Sequence, residues 1–304
     1  MSAIGEQAAL LQQEWETDPR WAGIARDYSA QDVIRLRGRV AGEEHGLARR
    51  RASRLWDLLH SRDAVQALGA VTGSQAVQVV KAGLPAGLGV MPDAFELMKA
   101  MIEAGAAGVR FDDELPAGSK RGHCGQLVLI PTAQHIQTLT AARLAADVLD
   151  VPSLVIARTG ARAASLLTSD TDERDHEFLT GERTAEGLYR VEPGLYACGT
   201  RALAFAPYAD LLWLETPAPD LAAARAFATV IHSQYPGKLL AYCCPPSSNW
   251  RAPLDDASTA RFRKELAAMG YRFQATIPAG FLALDKPAPP RARAVRRAVG
   301  ALGG

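Results

Sequence analysis

LTAARLAADVLDVPSLVIART, residues 139–159, contains the repeating unit from which the fold can be read. Its first part completes a helical pattern over 132–149. SLVIAR (153–158) then forms a short apolar run that ends on the polar pair Arg158–Thr159. A helix followed by a short strand ending in polar groups is the building block of parallel α/β folds.

The same rhythm extends in both directions. Apolar runs fall at AVQALGAV (64–71), AGVRFDD (107–113), ADLLWLE (209–215), KLLAYCC (238–244) and YRFQATI (271–277). Helical patterns lie between them. PDAFELMKAMIEAG puts Phe95, Met98 and Ile102 on one face, with Gly105 suited to the C-terminal cap. Further helical patterns fill 219–234 and 255–269. Strands alternating with helices imply a parallel sheet with right-handed crossovers.

A single-layer (β/α) barrel of the TIM type is preferred, because Asp112–Asp113, Arg158–Thr159, Glu215–Thr216 and Cys243–Cys244 all sit at strand C-termini. That end is where barrel enzymes place their chemistry. A doubly wound open sheet is the rival, and no glycine-rich dinucleotide fingerprint favours it. Only six strands are visible where a complete barrel has eight. Residues 1–63 read as helical, with Ser29 and Asp32 forming a variant capping box ahead of Val33, Leu36 and Val40. The expected organisation is an N-terminal helical segment (1–63), a barrel (64–285) and a basic tail (286–304).

Composition narrows the partners. The 304 residues include 34 basic and 33 acidic side chains, a net charge of +1, which gives no basic excess for nucleic acid. The basic end RARAVRRAVGALGG reads as a solvated tail. No run is suited to spanning a bilayer, and MSAIGEQAALLQQEWE does not read as a secretory leader. Cys124, Cys198, Cys243 and Cys244 lack zinc or disulfide spacing, so a cytoplasmic protein with reduced thiols is expected.

Long blocks resemble the isocitrate lyase family. They include DPRWAGIARDYSAQDVIRLRG, ALGAVTGSQAVQVVKAGL, AFELMKAMIEAGAAGV, the stretch from LTAARL through LLTSD, FLTGERTAEGLYRV, and YADLLWLETPAPDLAAARAFATVIHSQYPGKLLAY. The resemblance implies a barrel that binds Mg²⁺ and cleaves isocitrate to glyoxylate and succinate in the glyoxylate cycle. The chemistry would be a retro-aldol scission with a metal Lewis acid and a proton donor.

Carried over residue by residue, the resemblance is uneven. In GSKRGHCGQ (118–126), Lys120, Gly122 and His123 match the family's Lys-Lys-Cys-Gly-His loop, but Arg121 stands where the acid cysteine belongs. An arginine does not release a proton at neutral pH. Cys124 is the candidate substitute, three positions displaced. With His123 and Glu215 it makes the catalytic set. Arg183 of GER matches a substrate arginine, and Lys120, Gly122, Ser247 and Asn249 complete the expected contacts to a di- or tricarboxylate. The succinate segment reads CCPPSSNW, with Cys243 and Pro245 replacing an asparagine and a serine. Ile277–Pro278 replaces a Thr-Leu pair.

Asp112 and Asp113 match an acidic pair suited to Mg²⁺. The family's aspartate after IART is Gly160 here. PAGLGVMPD (85–93) bridges a gap where the family carries two strands, the glyoxylate loop and the metal-ligand aspartate. Two readings follow: an active lyase using Cys124, or a site-degraded relative that acts as a structural or regulatory partner of a full-length isocitrate lyase. The expected assembly is a homo-oligomer or a hetero-oligomer with a relative.

Overall fold

The computed structural model of the chain describes residues 3–37, 45–68, 93–115, 127–243 and 256–276. The front segment is helical: α1 (Ala3–Thr17), α2 (Ala30–Arg37) and α3 (Gly46–Ser61). Ser29 and Asp32 do form a capping box. The Ser29 N–H donates to Asp32 Oδ2 at 3.0 Å and the Asp32 N–H donates to Ser29 Oγ at 3.2 Å. The short aspartate reaches because the two residues are only one helical turn apart.

Strands and helices then alternate: β1 (Val65–Leu68), α4 (Ala94–Glu103), β2 (Gly108–Asp112), β3 (Val128–Leu129), α5 (Thr132–Val148), β4 (Leu154–Arg158), β5 (Leu166–Leu167), β6 (Leu179–Arg183), β7 (Tyr189–Val191), α6 (Leu195–Phe205), β8 (Leu211–Glu215), α7 (Leu221–Gln234), β9 (Leu239–Cys243), α8 (Asp256–Ala268) and β10 (Tyr271–Thr276). Gly105 ends α4 as expected. At φ 84° it adopts the left-handed conformation, and the following Ala106 N–H donates to Met101 O at 2.9 Å.

The six expected strands form one parallel sheet in the order β1-β10-β9-β8-β4-β2. Along the sheet from β2 to β10 the strands follow chain order, and the first strand, β1, then pairs with the last. A doubly wound sheet grows outward from its middle and reverses direction, so this order is that of a (β/α) barrel. Strands β2 and β1 end the arc. Residues 69–92, which include the shortened PAGLGVMPD bridge, lie outside the described residues. Among the described residues no ladder joins β1 to β2.

Alternation along each strand separates two apolar layers. Val109, Phe111, Val155, Ala157, Leu212 and Leu214 face the surrounding helices. Leu154, Ile156, Leu211, Trp213, Leu239 and Ala241 face inward, where Ala52, Leu55 and Leu59 of α3 pack against them. Burial on both faces explains why these strands read as unbroken apolar runs.

A buried charge cluster ties the front segment to the sheet. Asp210, just before β8, accepts from Arg20 Nη1 at 2.6 Å, from Arg143 Nη2 at 2.5 Å and from the Val155 N–H at 2.7 Å. Burial would raise its carboxyl, but Arg143 and Arg20 outweigh that and hold it far below the usual carboxylate range. A second, four-stranded sheet, ordered β3-β5-β7-β6, is built from excursions beyond the barrel strands.

Candidate active site at the strand ends

Strands β2, β4 and β8 are neighbours, so their final residues Asp112, Arg158 and Glu215 meet. Asp112 and Arg158 are direct register partners. Arg158 Nη1 lies 3.2 Å from Asp112 Oδ2 and donates to Glu114 Oε1 at 2.7 Å, while its Nε lies 3.0 Å from Glu215 Oε2. Arg110, two residues before Asp112 and on the same face of β2, adds a second guanidinium. Its Nη2 donates to Asp112 Oδ2 at 2.9 Å, its Nε lies 2.8 Å from Asp112 Oδ1, and its Nη1 lies 3.6 Å from Glu215 Oε2. The guanidinium stands 4.7 Å from the centre of the Trp213 ring.

Two arginines thus hold three carboxylates where the barrel strands end. Burial would raise the Asp112 carboxyl, but Arg110 and then Arg158 outweigh it and lower it. Burial opposes the charge on Arg158 as well, yet Asp112, Glu215 and Glu114 hold its guanidinium above the ordinary value. Glu114 goes the other way: its burial outweighs Arg158 and raises it.

Asp113 has a different role. It points to the opposite face of the chain from Asp112, is fully buried, and accepts from the Gly160 N–H at 2.8 Å and from Arg201 Nε at 2.8 Å. Arg201 also donates to Asp175 Oδ1 and to Ile130 O, both at 2.6 Å. Asp175 in turn accepts from Thr132 N at the start of α5. The expected Asp112–Asp113 metal pair is therefore split by strand alternation.

The residues described do not fit a Mg²⁺ ion. Mg²⁺ takes carboxylate oxygens and keeps several waters in a near-octahedral shell. Here Asp112, Glu114 and Glu215 are already engaged by guanidinium groups, which a cation would have to displace. Among the described residues no group of three or more His, Cys, Asp or Glu could hold a metal.

Arg183 is not brought to this cluster. It ends the exposed strand β6 and lays its guanidinium 4.0 Å from the centre of the Tyr189 ring, bonded to the Tyr189 hydroxyl. Lys120, Gly122, His123, Cys124, Ser247 and Asn249 lie outside the described residues. Cys243, at the end of β9, is buried beside its register partner Glu215.

Sequence reading passed over the two arginines at the centre. Arg158 was visible only as half of a polar strand end. Arg110 had a sharper signal, as a charge inside the otherwise apolar AGVRFDD run, and such a residue must find a buried partner.

A family model described as the isocitrate lyase family matches residues 76–184 and 180–285. The chain belongs to the isocitrate lyase family. It is 46% identical over 356 aligned residues to isocitrate lyase of Mycobacterium tuberculosis, covering 94% of this chain and 83% of that protein. It is 44% identical to the isocitrate lyases of Corynebacterium efficiens, with 94% and 83% covered, and of Escherichia coli, with 92% and 82% covered. An alignment longer than the 304-residue chain means that the isocitrate lyases carry residues this member lacks. Among solved structures, 2,3-dimethylmalate lyase, a PEP mutase/isocitrate lyase superfamily member, aligns at 16% identity with a TM-score of 0.47, covering 83% of this chain and 84% of that one.

Proposed function

We propose that this chain is an isocitrate lyase family member in which turnover of isocitrate is impaired or lost. The observation that carries the proposal is the closed ion network of Arg110, Arg158, Asp112, Glu114 and Glu215. A lyase site must offer free carboxylates to a metal and free guanidinium edges to substrate carboxylates. In this chain each group is spent on the other.

The sequence supports the same reading. Arg121 replaces the acid cysteine, Pro245 and Ile277–Pro278 replace polar pocket residues, and PAGLGVMPD stands in for the segment with the metal-ligand aspartate. A di- or tricarboxylate ligand is the family expectation, with Lys120, Gly122, His123, Ser247 and Asn249 as its candidate contacts. Glu215 and Asp112 orient Arg158 in this reading, and no step is assigned to a metal at these residues. The protein would work in the cytoplasm without nucleic acid or membrane as a partner. Among the described residues no helix is long and apolar enough to cross a membrane.

A second reading makes the chain a non-catalytic partner of a full-length isocitrate lyase. Among the described residues β1 and β2 have no outer partner, and an unpaired strand edge is a template for association, which supports this reading.

The test is glyoxylate release from isocitrate and from 2-methylisocitrate in the presence of Mg²⁺, with Cys124→Ser in parallel. No glyoxylate from either substrate is expected. Robust turnover that Cys124→Ser abolishes would overturn the proposal and restore the displaced thiol as the acid. Co-elution with a full-length isocitrate lyase tests the second reading, and a chain that ignores its relative defeats it.

A further inference from the structure

At the opposite pole from the ion network, a groove of about 1070 Å³ opens between α7, α8 and the start of β10. Asp63–Ala64, Gly237 and Gly270, the residues that precede β1, β9 and β10, form its rim, so it lies at the N-terminal ends of the barrel strands. Four cations line it: Arg225 from α7, Arg263 and Lys264 from α8, and Arg272 from β10. Asp63 is the only carboxylate among the lining residues. The Arg272 guanidinium is held by the backbone carbonyls of Arg62 and Asp63 at 3.1 and 3.3 Å. Arg225, Arg263 and Lys264 have no ion-pair partner among the described residues.

Arg263 is the informative one. It is half-buried at the groove wall, burial lowers its guanidinium from the ordinary value, and no carboxylate of the described residues offsets that effect. Beside it, Gln274 is only 6% exposed and lines the same groove. Its Nε2 donates to Arg263 O at 3.0 Å, while its Oε1 has no partner among the described residues. Gln274 Oε1 is enclosed and does not open to the groove. A sheltered cation without an anion costs stability, and an oxyanion in the groove would answer it. The lining residues include no Phe, Tyr or Trp, the His232 ring is tied to the Lys238 carbonyl at 2.9 Å, and the apolar part of the wall is Ala228, Ala267, Ala268 and Met269.

We propose that this groove binds a small, multiply charged oxyanion. Arg225, Arg263 and Lys264 take the anionic groups. Guanidinium groups bind phosphate and carboxylate through the same paired N–H geometry, so a sugar phosphate and a hydroxylated polycarboxylate share this chemistry. The site is independent of the lyase question, since it lies at the other end of the barrel.

The test is calorimetric titration of the full chain with fructose 1,6-bisphosphate, citrate and inorganic pyrophosphate. Saturable binding of at least one is expected; fructose 1,6-bisphosphate or pyrophosphate marks a phosphorylated source and citrate a carboxylated one. Arg263→Gln should weaken binding by about tenfold or more. Arg225→Gln, on the exposed side of α7, should weaken it without touching the core. Arg158→Gln, in the ion network, should leave binding unchanged. Failure of all three anions to bind would overturn the proposal, as would binding lost with Arg158→Gln and kept with Arg263→Gln.

Discussion

Gly160→Ala probes the ion network with the smallest possible addition. A Cβ at residue 160 would lie 2.0 Å from Glu114 Oε1, 2.6 Å from its Cδ and 2.8 Å from its Cγ. The backbone itself accepts alanine, because φ at Gly160 lies outside the left-handed region. The Glu114 carboxyl must therefore swing away and give up its 2.7 Å bond from Arg158. Losing a charge-assisted hydrogen bond in a sheltered site costs about 1–3 kcal/mol. Thermal unfolding should fall by several degrees, at about 2–4 °C per kcal/mol for a chain of this size class. In a Glu114→Ala background the obstacle is gone. Alanine at 160 should then be neutral, or stabilising by about 0.4–1 kcal/mol, because it restricts the unfolded chain. The double-mutant cycle should give a coupling of at least about 1 kcal/mol between the two positions. Strictly additive effects in that cycle would refute the idea that Glu114 fills the space at residue 160.

Other outcomes follow from single residues. Arg201→Leu strands both Asp113 and Asp175 in the interior and should cost about 3–5 kcal/mol in urea denaturation, whereas a loss below about 1 kcal/mol would show that the buried acids find other partners. Burial pushes His135 down to about 4, so the unfolded chain, with histidine near about 6.5, takes up a proton that the folded one refuses. Stability should accordingly be whole above about pH 6.5 and decline toward pH 4, with His135→Phe flattening that slope, which approaches about 1.4 kcal/mol per pH unit. Burial also pushes the Cys198 thiol up to about 12, so mass spectrometry after iodoacetamide at pH 8 should find Cys198 unmodified in native protein and modified after denaturation.

The barrel strands were legible because each is a short apolar run buried on both faces; SLVIAR and ADLLWLE fix β4 and β8 to within two residues. Ser29 and Gly105 could be placed because a cap is a local event, set by neighbours within one turn. The second sheet escaped notice, since β3 and β5 are only two residues long and no periodicity can register at that length. Helix α6, LYACGTRALAF, was also missed, and its Arg201 acts across the fold on Asp113 and Asp175. The strand-end site was half visible. Asp112 and Glu215 stood out as acids at strand ends, but their partner Arg158 joins residues from three strands far apart in the chain. Arg183, conspicuous within a long matching block, turned out to sit on the exposed strand β6 against Tyr189.

Helix α3 gives the barrel a floor. Ala52, Leu55 and Leu59 close its lower end beneath Leu154, Leu211 and Leu239, and Arg20 brings half of the counter-charge that Asp210 needs. The front helices are thus not a removable preface. A clone starting at β1 should be recovered as insoluble protein, because its inner layer would open to water and Asp210 would lose the Arg20 guanidinium, keeping Arg143 and the Val155 N–H; a soluble, cooperatively melting product would show otherwise. For anyone dissecting this protein or grafting its barrel onto another, the practical unit begins at the first helix, and shortening from that end removes the base on which the strands stand.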